Sequence, residues 1–411
     1  MLCMGAFLVL GVAPTLLTSG WCYWRHRGQC AFDAAAELSR QLELTATLEG
    51  FQYLRPGAIR YRGLTLADPE TGRTLLRCGA IDVQWTSTAD WQGNCVPAIS
   101  LAPAQIEITA EGWQELGRVI QRVLAARLLS AEPHLRLATA EILLHNATGD
   151  QMLSDVQGLV RSIAGGVQAD FSFRVPGASG TTPMHVVLVR NRQTTPPLSA
   201  VTLQTGGEAI PCSLLAALVP DLPVVGTQSR FGGQIDLVEG SDGWHTEVRG
   251  EFSGFDLNEL GREGIPHLLG GPARLELHAR FHQGRMEEAA GTLAAGRGML
   301  GRSLIASATQ YLALPPIAPR VAQIQPSREL VPYDELVIAF LINAQGLRIE
   351  GRCPSSPPGT ILADQYGPLL SQPAVQPLPL AAFIHTVCAD NQSAVVGSRL
   401  SERLSRVLPI R

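Results

Sequence analysis

Apolar and polar residues alternate with a period of two through much of this 411-residue chain, so strands dominate the pattern. The stretch from Tyr53 to Trp85 is the plainest case. Ile59 and Tyr61 alternate with Arg60 and Arg62, and Ile81, Val83 and Trp85 alternate with Asp82 and Gln84. Asp68-Pro69-Glu70-Thr71-Gly72 lies between them and has turn chemistry. The spacing predicts a strand–turn–strand unit wet on one side, with Ile59, Tyr61, Ile81, Val83 and Trp85 as the candidate lining of an apolar surface or groove.

The same pattern recurs at His134–His145, Gln168–Val175, Met184–Val189, Ala200–Gln204, Gly233–Val238, Gly243–Phe252, Arg274–Phe281 and Leu336–Glu350, with Gly, Pro, Asn or Asp between the runs. No βαβ alternation stands out, so an antiparallel meander is the expected topology. Helical spacing is clearest at Glu111–Leu129, where Trp113, Leu116, Ile120, Val123, Leu124 and Leu128 share one stripe. Shorter helices are expected at Phe32–Leu48, Ser213–Val219, Leu257–Leu269, Gly301–Leu314 and Ser398–Leu408, and the chain turns Pro-rich from Tyr366 onward. The domain reading is a segment 1–24, a helix and linker 25–50, a first β region 51–210, a second 211–365, and a Pro-rich tail 366–411 with an amphipathic helix.

Met1–Trp24 contains no charged side chain and is long enough to cross a bilayer core of about 30 Å at about 1.5 Å per residue. A transmembrane signal anchor is the first reading and a cleavable signal peptide the second; either one exports the rest. Charge asymmetry runs the other way, since Arg25-His26-Arg27 follows the segment and no basic residue precedes it, which leaves the orientation open.

Composition narrows the chemistry. Charged residues make up 17%, and the 41 Gly and 28 Pro supply turns without making the chain too polar to fold. A net charge of −4 gives no basic excess, which argues against a nucleic-acid partner. All 32 basic residues are Arg, so lysine-dependent phosphate loops and Schiff bases are excluded. The eight cysteines occur singly, without Cys-x-x-Cys; Cys78 with Cys95 and Cys353 with Cys388 are conceivable disulfides, but isolated buried thiols are the expected state.

Motifs for catalysis do not survive inspection. Gly296-Arg297-Gly298-Met299-Leu300-Gly301 matches G-x-G-x-x-G, yet prolines follow at 315, 316 and 319 and residues 316–324 hold no acid, so glycines at a turn between strand and helix explain it. There is no G-x-S-x-G. His278 and His282 stand four apart but on a strand pattern, without H-E-x-x-H, and Glu287-Glu288 reads as a solvated turn. No catalytic, cofactor or metal residue is assigned.

Three stretches together carry a family resemblance: PGAIRYRGLTLADPETGRTLL, the middle section from Cys212 to Leu314, and YDELVIAFLINAQGLRIEG followed by PGTILADQYGPL. These resemble AsmA-like proteins, the group that includes TamB and YhdP. The resemblance implies a bacterial inner-membrane anchor and a periplasmic body: a mainly β fold with covering helices, its long twisted antiparallel sheet forming a half-open apolar groove. It implies a non-enzymatic role in binding or transferring membrane lipids, or in supporting outer-envelope assembly. Roughly 15 to 20 strands spaced about 4.8 Å apart would make such a groove on the order of 70 to 95 Å long. A structural factor that binds another envelope protein is the alternative, and an exported hydrolase a remote one.

Overall fold

A computed structural model describes residues 16, 19–20, 28–55, 58–89, 95–101, 106–109, 135–145, 150–175, 182–195, 197–218, 228–261, 265–318, 330–388 and 399–409. The described chain is mainly β, 59% strand, with few helices, and its large antiparallel sheet does not close into a barrel. No described helix is long and apolar enough to cross a membrane, and the expected anchor at Met1–Trp24 lies almost wholly outside the described residues. The helix expected at Glu111–Leu129 lies outside them as well. Two compact units emerge, one of residues 1–176 and 189–193, the other of 177–188 and 194–411. Sequence placed the division between the β regions at 210/211.

The first unit opens with helix α1 (Gly28–Leu42), which is shorter than expected: Glu43 takes a left-handed φ of 55° and the chain turns directly into a strand. Strands β1 (Thr45–Thr47), β2 (Gly50–Arg55), β3 (Ala58–Ala67), β4 (Thr74–Ala89), β5 (Cys95–Leu101), β6 (Ile106–Thr109), β7 (Leu135–His145), β8 (Gln151–Ile163) and β9 (Gly166–Arg174) follow. β3 is flanked by β1 and β2 on one side and β4 on the other, all antiparallel. At β7 the meander breaks: β5 and β6 both pair with it in parallel. They behave as two pieces of one strand between β4 and β7. Parallel neighbours need a crossover of a dozen or more residues, and the 25 residues from 110 to 134 provide that length. The expectation of an unbroken meander fails there because strand runs alone carry no signal for direction.

β10 (Met184–Asn191) divides its residues between the units. In the second unit come β11 (Leu198–Gln204), β12 (Ile210–Pro211), α2 (Cys212–Leu218), β13 (Arg230–Gly240), β14 (Gly243–Asp256), α3 (Leu257–Gly261), β15 (Leu269–Gly270), β16 (Pro272–His282), β17 (Arg285–Ala295), β18 (Gly298–Gly301), α4 (Arg302–Tyr311), β19 (Leu330–Tyr333), β20 (Glu335–Asn343), β21 (Gly346–Gly351), β22 (Thr360–Asp364), β23 (Gly367–Ser371), α5 (Leu380–Cys388) and α6 (Arg399–Val407). β11, β13, β14, β16, β17, β20 and β21 succeed one another antiparallel, and β15, β18 and β19 form a separate small sheet. Glu287 and Glu288 are inside β17 rather than on a turn; the run RMEEAAGTLAA holds a single β-branched residue, Thr292, and no aromatic to mark a strand. The expected Pro-rich tail holds a strand, β23, and a docked helix, α5, whose Leu380, Ile384 and Cys388 are buried.

The glycines of G-x-G-x-x-G gain a packing explanation. Gly296 belongs to the turn after β17, and Gly298 opens β18, not a phosphate loop. A Cβ on Gly298 would lie 2.1 Å from the Gly270 carbonyl oxygen and 2.6 Å from the Tyr333 hydroxyl, so only glycine fits. That hydroxyl donates to the same carbonyl at 2.9 Å.

Cys78, Cys212 and Cys353 are buried thiols outside any disulfide, so the Cys353–Cys388 pairing is not formed; the side chain of Cys95 lies outside the described residues. Burial raises the Cys353 thiol from 9.0 to about 11, with the Glu335 charge adding to it, and burial likewise pushes the Tyr333 phenol to about 12. Both groups stay neutral in the fold while the unfolded chain ionises. The thiol's stabilisation is therefore intact below about pH 9 and is lost as pH rises toward 11, by up to about 2–3 kcal/mol at about 1.4 kcal/mol per pKa unit, and the phenol's is lost between about pH 10 and 12. Urea midpoints at pH 8 and pH 10.5 should fall in the wild type and fall measurably less in Cys353→Ala; equal falls would remove the thiol as the cause.

Candidate functional site

Alternation on β20 determines the main site. Leu336, Ile338, Phe340 and Ile342 occupy every second position and so point to one face of the sheet. Their direct partners on the neighbouring strands are apolar where they reach the same face: Leu293 on β17 stands opposite Ile338, Ile349 on β21 opposite Phe340, and Leu347 opposite Ile342. Opposite Phe340 on the β17 side is Gly291, where a Cβ would come 2.2 Å from the Glu276 carbonyl oxygen and 3.0 Å from the ring tip; the missing side chain makes room for both.

Two helices lie over this face. α4 presents Leu304, Ile305 and Ala308, at the helical spacing of one stripe, and α5 presents Phe383, Thr386 and Val387. Sheet and helices do not meet everywhere. Between them is a cavity of about 380 Å³ in which, among the described residues, Thr386 contributes the only polar side chain. Its hydroxyl is occupied, donating to the Ala382 carbonyl at 2.9 Å. The described wall therefore offers dispersion and apolar surface, and none of its described residues is ionised.

His267, 4% exposed, ties the two covering helices together beside this cavity. Its Nε2 lies 3.0 Å from the Thr386 carbonyl, which only accepts, so Nε2 carries the proton. Nδ1, 3.0 Å from the Ser303 hydroxyl, then accepts. Thr386 stands within the last four residues of α5, where helical carbonyls lack intrahelical donors, and the histidine supplies one.

In the first unit the register brings the sequence-predicted lining together. Ile59 stands opposite Val83 and Tyr61 opposite Ile81, so all four share one face of the β3–β4 pair, and each is half-buried. Phe51 and Tyr53 on β2 extend the row through Tyr61 and Ile59, their own rings meeting edge to face at 5.5 Å. Burial, then the neighbouring Tyr53, raises the Tyr61 phenol. Trp85 belongs to β4, with Pro97 as its partner across the ladder; its side chain lies outside the described residues. On the other face Arg60 donates two bonds to Asp82, at 2.6 and 2.7 Å, and holds that carboxyl below its ordinary range. Beyond Gly63 this second face becomes the core: Leu64, Leu66 and Cys78 are buried there, with Ala46 of β1 opposite Leu66. The apolar side thus changes face along a single strand pair.

The histidines spaced four apart separate. His278 Nε2 meets Glu247 at 2.6 Å, and His282 instead stands directly across the ladder from His245. The chain matches no family model and no curated protein.

Replacing His267 with Ala removes the donor from the Thr386 carbonyl and the acceptor from Ser303. Roughly 2–4 kcal/mol of stability should be lost. Urea denaturation of purified protein checks this, and a loss below about 0.5 kcal/mol would show that the histidine does not hold the cover in place.

Proposed function

We propose that this chain is a non-enzymatic, membrane-anchored envelope protein, AsmA-like in kind, that binds or transfers lipid through an apolar β face. In this reading residues 1–24 anchor it in a bacterial inner membrane and the two β units lie in the periplasm, with membrane lipids as partners. The observation that carries the reading is the cavity of about 380 Å³ between β20 and helices α4 and α5, whose one polar side chain already has its hydrogen bond.

Size limits what such a cavity can take. A void of about 150 Å³ lined by Leu, Ile and Phe admits a benzene, so this one suits a segment of a single acyl chain and is too small for several lipids. Each methylene withdrawn from water contributes about 0.8 kcal/mol, so a handful of carbons would bind measurably without any charged contact. Such a site would be blind to headgroup chemistry, consistent with a carrier of common membrane lipids. The half-buried row of Ile59, Tyr61, Ile81 and Val83 offers a second, open apolar surface along which a chain could lie.

Lipid extracted from the gently purified full chain and measured by mass spectrometry tests the proposal, together with titration by an environment-sensitive fatty-acid probe. Wild type should carry about one acyl lipid and bind the probe saturably. Ala308→Phe and Leu304→Trp, which grow into the cavity from α4, should each weaken probe binding at least about tenfold while keeping the far-ultraviolet spectrum. Absence of lipid and of probe binding, or binding that both variants leave untouched, would reject the cavity as the site.

A further inference from the structure

A second cluster, unconnected with the apolar cavity, sits where two hairpins of the second unit end side by side. β13 turns into β14 through Ser241 and Asp242, with Gly240 paired to Gly243. β16 turns into β17 through Gln283 and Gly284. Because β14 and β16 are neighbours, His245 and His282 face each other across the ladder, and Asp242 reaches back over both.

The distances are specific. His245 Nε2 lies 3.0 Å from one carboxylate oxygen of Asp242, and His282 Nε2 lies 3.4 Å from the other and 3.1 Å from the Asp242 backbone carbonyl. Both imidazoles thus turn the same nitrogen to one acidic group. Metal–ligand bonds of about 2.0–2.2 Å imply edges between adjacent ligand atoms of roughly 3.0–3.5 Å, so these separations suit one shared ion. The two rings are stacked, centroids 4.4 Å apart and 4° from parallel, so one must rotate about its Cβ–Cγ bond to aim its lone pair at the common point. Side-chain exposures of 43% for His245 and 30% for His282 leave space for that rotation.

Glycine at 240 is what lets the donors gather: a Cβ there would come 2.7 Å from the Asp242 Oδ1 and 3.2 Å from the His245 ring.

The geometry points to a surface site for a divalent transition cation of the zinc class, held by His245, His282 and Asp242 and pinning the tips of the two hairpins together. Two neutral imidazoles and one carboxylate are the donor set that zinc, nickel and copper prefer over calcium or magnesium.

Calorimetric titration of the EDTA-treated full chain with zinc chloride at neutral pH provides the test. One equivalent should bind saturably, and His245→Ala, His282→Ala and Asp242→Ala should each weaken it at least about tenfold. His278→Gln, which alters an exposed histidine bonded to Glu247 outside the cluster, should leave it unchanged. No saturable binding, binding that survives in the His245→Ala/His282→Ala double variant, or an equal loss in His278→Gln would each overturn the assignment. A variant that loses its far-ultraviolet spectrum is replaced by the corresponding Asn variant, which keeps a polar side chain of similar reach.

Discussion

A sheet that is apolar on one face cannot leave that face to water, and most of the second unit is arranged around this constraint. Strand geometry fixes the problem first: with a period of two, Leu336, Ile338, Phe340 and Ile342 all arrive on one side of β20, and their neighbours on β17 and β21 add to the patch. Helices α4 and α5 are the response, each donating a stripe to the same surface. Their fit is incomplete, and what they leave unfilled is the apolar cavity. The site is thus a remainder of packing, with no charged group among its described lining residues and a histidine placed outside it that bonds both covering helices. His267 performs a task that apolar contact performs poorly: it fixes two helices at a set separation, through directional bonds to a carbonyl and a hydroxyl.

The first unit meets the same constraint differently. Along β3 and β4 the buried side chains lie on one face near Leu64, Leu66 and Cys78 and the apolar ones lie on the opposite face near Ile59 and Val83. A strand pair that changes its apolar side demands covering from both directions. On one face α1 leads into β1, whose Ala46 packs opposite Leu66. The other face keeps a half-buried row of aliphatic and aromatic residues beside a bidentate Arg60–Asp82 pair on its reverse, polar side.

Much of this was legible in sequence, and the failures have separate causes. Period-two alternation located most of the long strands and grouped Ile59, Tyr61, Ile81 and Val83 correctly on one face, because side-chain direction in a strand is a local property. Pairing direction is not local, so the parallel placement of β5 and β6 on β7 carried no mark. β17 was missed because alanines and a glycine replace the bulky residues that announce a strand, and its Gly291 is small for reasons that only the neighbouring strands reveal, the Glu276 carbonyl on β16 and the Phe340 ring on β20. Proline density hid α5, although Leu380, Phe383, Ile384 and Val387 have helical spacing once the prolines are behind them. The cavity and the Asp242 cluster each join residues from different hairpins and helices, and no spacing in the chain encodes them.

The position of α5 in the chain has a bearing on how the protein is made. The face it helps to cover is complete once β21 and β22 exist, yet the helix itself spans Leu380–Cys388, close to the C-terminal end. During synthesis, which runs from the N-terminus, α4 is made before β20 but α5 only after β22 and β23, so the apolar side of β20 is finished before this second half of its cover. For that interval the part of the surface that α5 will bury is covered by no later element, so the order of elements along the chain sets the order in which the face can be closed. The helix that seals the face is thus also the last of its covers to be made.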